Sequence, residues 1–262
     1  MIPSATERPL AIVTGASAGL GKVFAQRLAA SGHDLALVAR DAGRLETLAT
    51  ELAATHGIAA EAWPADLGRT EDVDRLVGRL REHPRLAVLV NNAGFGTNGV
   101  LAKADPAGQE LMLAVHVVAT NRLAQAALPG MLARRRGTII NVSSVASFTA
   151  TLGNVNYCAT KAYVRVFSEA LALECAGRGV TVQALCPGFT YSEFHDRVGM
   201  DRGRIPTWLW MSAERVIDAS LSAARAGGPV VVVPGKRYKA IVFLLKYGAW
   251  MLSPLKARHR RD

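Results

Sequence analysis

Cysteine is scarce in this sequence. The 262 residues include three cysteines, Cys158, Cys175 and Cys186, and no two of them have a Cys-x-x-Cys spacing. An odd number of unpaired thiols argues against a disulfide framework and against a zinc site. We therefore expect three small apolar core residues, no bound metal, and a reducing compartment such as the cytoplasm.

Features that would divide or export the chain are also missing. It has no linker rich in Pro, Gly or Ser, no repeat and no low-complexity tract, and 50% of its residues are hydrophobic. Its start contains no apolar segment ahead of a small-residue cleavage site, so no secretory signal is expected. The composition predicts one large domain, residues 1–235, followed by an extension at 236–262.

Acidic residues are rare at one end of the chain. Residues 236–262 hold eight Lys or Arg and one acid, a net charge of +7, whereas the whole chain carries +10. The other 235 residues therefore carry only +3, which is 10 minus 7. Because the rest of the chain is nearly balanced in charge, nucleic acid is not expected as a partner, although a nucleic-acid or membrane binder that uses the basic tail stays open as an alternative.

Short apolar segments alternate with helical patterns along the chain. Strands are predicted at 10–15, 34–40, 59–66, 86–94, 137–144, 180–188 and 229–234. Helices are predicted at 22–31, 42–57, 70–84, 106–135, 157–176 and 212–226, with Thr70 as the N-cap of the third. Continuous apolar strands alternating with amphipathic helices are typical of a doubly wound α/β fold. We predict a parallel sheet of about seven strands with helices on both faces.

A glycine-rich turn follows the first predicted strand and opens the first helix. The sequence TGASAGLG (14–21) contains Gly15, Gly19 and Gly21. Backbone without side chains can approach a phosphate closely, and the free N–H groups of a helix N-terminus attract an anion. In this context the turn predicts a dinucleotide site, although a tight packing turn is the alternative that the glycines alone leave open.

The end of the second strand indicates which dinucleotide is preferred. NAD sites usually have an acid about 20 residues after the glycines, where it binds the ribose 2′-hydroxyl. Arg40 stands there instead, 19 residues after Gly21. A guanidinium suits a 2′-phosphate, so NADP(H) is predicted in preference to NAD(H), even though Asp41 follows directly.

Four motifs in this order, TGASAGLG (14–21), NNAG (91–94), NVSS (141–144) and YCATK (157–161), resemble those of the short-chain dehydrogenase/reductase family. The resemblance covers residues 10–235. It implies a Rossmann-type fold, a homo-oligomer, and an NADP(H)-dependent oxidoreductase that acts on ketones or secondary alcohols. It also implies that Ser144, thirteen residues before the tyrosine, is catalytic, rather than Ser143.

Tyr157 and Lys161 lie one helical turn apart on the same predicted face. An ammonium close to the phenol, with help from the helix N-terminus, is expected to lower the pKa of Tyr157 toward the working range. Tyr157 would then give a proton to a carbonyl oxygen, or take it back in the reverse direction. Ser144 would hydrogen-bond the developing oxyanion.

The resemblance further implies a set of cofactor contacts at the carboxyl ends of the strands. They are Gly15, Ser17, Gly19, Leu20, Gly21, Arg40, Asp66, Leu67, Asn92, Ala93, Gly94, Tyr157, Lys161, Pro187, Gly188 and Thr190. Asp66 would accept a hydrogen bond from the adenine, Lys161 would bind the nicotinamide ribose, and Thr190 would bind the carboxamide. Ser192 stands five residues after Pro187, where the family usually has threonine.

One catalytic position departs from the family. Its fourth catalytic residue is an asparagine on the helix before the fifth strand, and aligning that helix puts His116 there. Neutral imidazole can also donate and accept hydrogen bonds, which favours a functional replacement. A packed core histidine stays open as the alternative. Asn121 is no substitute, because five residues turn a helix by about 500° and it faces away.

Apolar side chains surround the expected substrate position. The candidates are Phe95, Phe148, Leu152, Phe194 and Trp208. No Arg or Lys lies in 145–154, so a small hydrophobic ketone or alcohol of acyl-chain or steroid type is favoured over a sugar phosphate. The loop 189–211 is long enough to be a substrate lid. A non-catalytic dinucleotide-sensing or scaffold protein on the same fold is the alternative function.

The extension 236–262 favours two interpretations. Its apolar stretch, 240–255, is short for a membrane span and contains Lys246, Gly248 and Pro254. Lys and Arg flank apolar and aromatic residues in 237–262, which is typical of a helix that lies in lipid headgroups as a peripheral membrane contact. A lid over the pocket, or a subunit interface, is the other interpretation, and both stay open.

Overall fold

The computed structural model describes residues 8–81, 83–97, 99–193, 203 and 205–247. Its strands are β1 (Leu10–Thr14), β2 (Asp34–Ala39), β3 (Ala60–Pro64), β4 (Leu86–Asn91), β5 (Gly137–Val142), β6 (Val180–Leu185) and β7 (Val231–Val232). They form one seven-stranded sheet in the order β3-β2-β1-β4-β5-β6-β7, and every neighbouring pair is parallel. The predicted Rossmann-type parallel sheet is confirmed.

Helices cover both faces of the sheet. They are α1 (Gly19–Ala30), α2 (Ala42–His56), α3 (Thr70–Leu80), α4 (Pro106–Leu113), α5 (Thr120–Ala133), α6 (Val155–Cys175), α7 (Ala213–Arg225) and α8 (Lys236–Tyr247). One core layer contains side chains of α1, α2 and α7, and the opposite layer contains side chains of α3, α5 and α6. Successive strand residues supply alternate layers, because side chains alternate across a sheet.

Three local predictions differ from the structure. The long helix predicted at 106–135 is not regular: α4 and α5 are joined by a π-helical segment, Ala114–Ala119, which contains His116. The N-cap of α3 is Arg69, so the prediction of Thr70 as the cap is wrong. The last strand, predicted over 229–234, pairs only at β7, since just two residues align with β6. Insertions of π-helix are frequent at functional sites.

One described helical stretch, Pro106–Ala133, is long and apolar enough to span a membrane by length and composition. Half of its apolar window is buried in the fold, and its α5 portion packs on α3 and β4. Its apolar character is therefore explained by core packing. The three cysteines are free and buried, as the sequence predicted.

Candidate active site

The glycine-rich turn lies at the carboxyl end of β1, beside β4, where the strand order reverses. Gly21 has no room for a side chain: a Cβ there would lie 2.1 Å from the carbonyl oxygen of Gly15 and 2.6 Å from Nδ2 of Asn92. Gly15 adopts a φ of +65°, in the left-handed region that favours glycine. The turn is therefore a close-packed backbone surface at the point where such folds bind ligands.

Thr14 is a site residue that sequence reasoning missed. Its hydroxyl accepts hydrogen bonds from the N–H groups of Asn92 (2.9 Å) and Ala93 (3.0 Å) and donates to the carbonyl oxygen of Val90 (3.2 Å). Nδ2 of Asn92 donates in turn to the carbonyl oxygen of Thr14, at 2.8 Å. The amide of Asn92 thus braces the turn from β4. The sequence did hold a signal for this role, because a residue with a hydroxyl group stands directly before the first glycine of the turn.

The N-terminus of α1 is built to receive an anion. Its N-cap is Ala18, and no side chain among the described residues caps it. The N–H groups of its first turn are thus available to a ligand, and the helix dipole favours negative charge there. This donor set fits the diphosphate of a dinucleotide.

Asp66 and Leu67 follow β3 at the same edge. Oδ1 of Asp66 accepts a hydrogen bond from the N–H of Gly68 at 2.9 Å. Leu67 is buried in the core layer that contains α3. One oxygen of Asp66 therefore shapes the turn, which leaves its other oxygen for the adenine contact that the family resemblance implies.

The acid that follows Arg40 has a structural role. Asp41 is the N-cap of α2: its carboxylate accepts a hydrogen bond from the N–H of Arg44 at 3.0 Å and lies 3.5 Å from the Arg44 guanidinium. Arg40 is exposed at the end of β2 and has no ion-pair partner within the described ranges. The carboxylate is thus committed to the helix, whereas the Arg40 guanidinium is available to a phosphate.

The two serines after β5 contact different parts of α6. The hydroxyl of Ser144 is hydrogen-bonded to the phenol of Tyr157. It also accepts a bond from the N–H of Ala146 at 3.1 Å. Ser143 is buried and donates to the carbonyl oxygen of Lys161 at 2.7 Å. Ser144 therefore lies beside the proposed proton donor, whereas Ser143 fastens β5 to α6.

The pKa of the phenol differs from the sequence-based expectation. Burial raises the pKa of Tyr157 to about 12, although the hydrogen bond with Ser144 acts in the opposite direction. The Lys161 ammonium lies 5.9 Å from the centroid of the Tyr157 ring and donates to the carbonyl oxygen of Val142 at 2.9 Å. Burial also lowers the pKa of Lys161 to about 8. The expected lowering of the Tyr157 pKa is therefore wrong for the chain without cofactor, because desolvation outweighs the hydrogen bond with Ser144.

His116 is buried, with both ring nitrogens occupied. Nε2 accepts a hydrogen bond from the N–H of Phe95 (3.0 Å), and Nδ1 lies 3.0 Å from Oγ1 of Thr160. Burial, and then the charge of Lys161, hold the pKa of His116 well below its usual value, so the ring is neutral. The Phe95 contact makes Nδ1 the protonated nitrogen. Asn121 is half-buried and donates to Tyr163, away from these groups.

The segment after β6 is held by a residue of α8. The phenol oxygen of Tyr238 accepts from the N–H of Phe189 and donates to the carbonyl oxygen of Leu209, both at 2.8 Å. A Cβ on Gly188 would lie 1.9 Å from the Tyr238 ring. Thr190 is buried, and its hydroxyl donates to the carbonyl oxygen of Gly188 at 3.0 Å. Through Tyr238, helix α8 therefore holds together the two ends of the predicted lid, near Phe189 and near Leu209.

The predicted substrate residues are in different surroundings. Phe95 and Phe148 are half-buried: Phe95 packs edge-on against His116, and the Arg165 guanidinium lies 4.9 Å from the Phe148 ring centroid. Leu152 and Trp208 are 91% and 53% exposed, so they do not form an enclosed wall here. The prediction for Phe194 lies outside the described residues, as do residues 194–202 and 204 of the predicted lid.

Comparison with known proteins identifies the same family that the four sequence motifs resemble. The profile of the short chain dehydrogenase family matches residues 9–203. Nodulation protein G of Rhizobium meliloti (strain 1021) is 40% identical over 190 residues, which cover 72% of this chain and 76% of that protein.

Two solved structures are similar over nearly the whole chain. A short-chain dehydrogenase from Sphingobium yanoikuyae in complex with NADPH has a TM-score of 0.85 and 36% identity, and the match covers 94% of this chain and 95% of that one. A bulky-bulky ketone specific alcohol dehydrogenase from Comamonas testosteroni has a TM-score of 0.80 and 30% identity, with 94% of each chain covered.

Proposed function

The chain belongs to the short-chain dehydrogenase family, and from this premise we propose that it reduces a hydrophobic ketone with NADPH or oxidises the matching secondary alcohol. Family membership makes it a nicotinamide-dependent oxidoreductase. The observation that carries the finer proposal is the hydrogen bond between Ser144 and Tyr157, with the Lys161 amine close by.

In the reductive direction Tyr157 is the proton donor to the substrate oxygen. With a pKa raised to about 12, its phenol is protonated at neutral pH and holds a proton to give. Ser144 donates a second hydrogen bond to the same oxygen as negative charge develops there. Below about pH 8, Lys161 carries the positive charge that stabilises the phenolate left behind. A bound nicotinamide supplies the hydride in this direction and accepts it in the other.

The cofactor would be held along the carboxyl edge of the sheet. The N-terminus of α1 and the glycine-rich turn would hold the diphosphate, Lys161 the nicotinamide ribose and Thr190 the carboxamide. Arg40 would bind the 2′-phosphate, which is the reason for proposing NADP(H) over NAD(H). The structure of the Sphingobium yanoikuyae relative in complex with NADPH supports this choice.

Arg40→Asp is expected to weaken NADPH binding by at least about tenfold, because a charge-assisted contact to the phosphate is lost and a repulsive charge is added. NADH binding is expected to stay the same or improve. Fluorescence titration with each cofactor measures both dissociation constants. An unchanged ratio of the two constants would show that Arg40 does not select the cofactor.

His116 is proposed to position the groups behind the reacting phenol. It connects the N–H of Phe95, next to the NNAG motif, with Thr160, whose hydroxyl donates to the carbonyl oxygen of Tyr157 at 3.0 Å. The imidazole therefore links the proposed cofactor edge to the catalytic helix. Because both nitrogens are engaged, its role is support rather than proton transfer.

His116→Leu is expected to lower turnover by about tenfold, since it leaves a buried N–H without a partner, at a cost of about 1–3 kcal/mol. His116→Asn can replace one hydrogen bond and is expected to keep most activity with an altered pH profile. Profiles of kcat/KM against pH, alongside thermal unfolding curves, test both variants. Normal turnover in the leucine variant would make the histidine a core residue only.

The substrate is proposed to be a hydrophobic ketone. Phe95 and Phe148 are half-buried at the proposed substrate position, and Arg165, whose guanidinium lies 4.9 Å from the Phe148 ring centroid, is paired with Glu169 at 2.8 Å. The relative from Comamonas testosteroni, which acts on bulky ketones, supports the same class. The test is NADPH oxidation with ketones of increasing apolar bulk, sugar phosphates serving as controls. Turnover of none of them would favour the non-catalytic alternative.

We also propose a cytoplasmic homo-oligomer. Helix α6 has three apolar residues that are at least half exposed, Val155 and Val166 at 51% each and Leu173 at 80%, and Val118 before α5 is 51% exposed. A second copy covering such residues would remove apolar surface from water. Sedimentation velocity distinguishes a dimer or tetramer from a monomer.

Peripheral membrane contact is proposed through α8. Tyr238 and Val242 are buried on its inner face, while Phe243, Leu244 and Tyr247 are exposed on the outer one. At 100° per residue, Lys239 and Lys246 lie on one side of these apolar residues and Arg237 on the other. An apolar strip between cations suits an anionic lipid surface.

The full chain is expected to sediment with vesicles that contain anionic phosphatidylserine, and only weakly with neutral phosphatidylcholine vesicles. Phe243→Gln combined with Leu244→Gln is expected to reduce this binding, because the inserted apolar area is lost. Leu101→Gln, at an apolar position 49% exposed elsewhere, is the control. No vesicle binding, or equal binding by all variants, would leave α8 as a brace for the substrate loop.

A further inference from the structure

An ion pair joins the two sides of the proposed cofactor cleft. Nη1 of Arg44, in the first turn of α2, lies 3.3 Å from Oε2 of Glu193, in the segment that follows β6. Three strands, β1, β4 and β5, separate β2 from β6 in the sheet. The segment 189–193 therefore runs along the carboxyl edge of the sheet, across the site.

The path of this segment is defined by its neighbours. The N–H of Tyr191 donates to the carbonyl oxygen of Met211 (2.9 Å), and the N–H of Met211 donates to that of Phe189 (3.0 Å). Ser192 then lies against the glycine-rich turn, since a Cβ added at Gly19 would be 3.3 Å from the Ser192 Cβ. The chain thus reaches α2 by crossing the turn that would hold the diphosphate.

Arg44 is placed to be a second cation for a 2′-phosphate. It follows Arg40 by four residues, so both guanidiniums start from the junction of β2 with α2. Asp41 and Glu193 both lie near it, at 3.5 Å and 3.3 Å. The side chains of Arg44 and Glu193 are about half exposed, 54% and 50%, and ion pairs of this kind are weak. A phosphate carries more negative charge than a carboxylate and can displace one.

We propose that Glu193 tunes cofactor specificity by competing with the 2′-phosphate of NADP(H) for Arg44. The proposal rests on the proposed function of the same site. NADPH binding requires Arg44 to exchange the Glu193 carboxylate for the phosphate, whereas NADH has no group at that position and leaves the pair intact. Glu193 therefore weakens NADPH binding selectively, and Arg44 strengthens it together with Arg40.

The test is fluorescence titration of the full chain with NADPH and with NADH. Glu193→Gln is expected to tighten NADPH binding about threefold to fivefold, the equivalent of one exposed ion pair, with NADH unchanged. Arg44→Gln is expected to weaken NADPH binding about tenfold. In the double variant the Glu193→Gln change is expected to have no further effect, because the shared partner is gone. Glu46→Gln, an exposed acid on the same helix, controls for net charge.

Two results would overturn the proposal. One is a ratio of NADPH to NADH affinity that neither Glu193→Gln nor Arg44→Gln changes. The other is a gain from Glu193→Gln that persists without Arg44 or is matched by Glu46→Gln, since it would then be a long-range charge effect. Failure of the proposed function looks different, because it would appear as no NADPH oxidation with any ketone, or as a cofactor preference that Arg40→Asp leaves unchanged.

Discussion

Tyr157→Phe is expected to lower kcat by about 10²–10⁴-fold, the usual contribution of a general acid, with the affinity for NADPH nearly unchanged. The substitution removes the hydroxyl that is hydrogen-bonded to Ser144 and leaves the ring in place. That ring packs edge-on against His116, with centroids 6.1 Å apart, so the phenylalanine fits the same space. Steady-state rates of ketone reduction and fluorescence titration of NADPH measure the two quantities.

Tyr163 provides a matched control on the same helix. Its hydroxyl accepts a hydrogen bond from Asn121 and its side chain is partly exposed, away from Ser144. Tyr163→Phe therefore removes the same atom without touching the proposed chemistry, and turnover is expected to stay within about twofold of the unmodified chain, because surface changes are usually small. If Tyr157→Phe retained more than about a tenth of the activity, Tyr157 would not be the proton donor.

Lys161→Gln is expected to reduce reductive kcat/KM by about 10²-fold, because the charge that stabilises the developing phenolate is removed. The pH dependence gives a second signature. Burial lowers the pKa of Lys161 to about 8, so the amine is charged below that value and neutral above it. In the unmodified chain, reductive kcat/KM is therefore expected to fall as the pH rises through about 8. At saturating NADPH, kcat/KM for the ketone reports the ionisations of the enzyme–NADPH complex before the ketone binds.

The glutamine variant should lack this descending limb, because no group is left to titrate at that position. Lys103→Gln, at an exposed lysine outside the site, is expected to keep both the rate and the limb. Rates measured from pH 6 to 10 with a saturating cofactor decide the matter. A limb that survives in Lys161→Gln would belong to a different group, and an unaltered rate would remove Lys161 from the mechanism.

Much of the fold could be predicted from the sequence because its signals are local. Apolar strands and amphipathic helices alternate within windows of a few residues, and a parallel sheet with helices on both faces follows from that alternation. The glycine-rich turn, Arg40 and the Tyr157–Lys161 spacing are likewise readable along the chain. The π-helical segment around His116 was not predicted, since no residue type there marks a change in helical pitch.

The sequence by itself determined the architecture and the family, and it proposed the groups at the carboxyl edge of the sheet, because these signals lie in the order of strands, helices and motifs. Only the tertiary structure decided how those groups behave. Desolvation raises the pKa of Tyr157 instead of lowering it, and Asp41 caps α2 instead of facing a ribose. Tyr238 and Glu193 reach the site from segments 49 and 149 residues from their partners. Burial and such long-range contacts depend on where distant parts of the chain pack, and no local pattern records that.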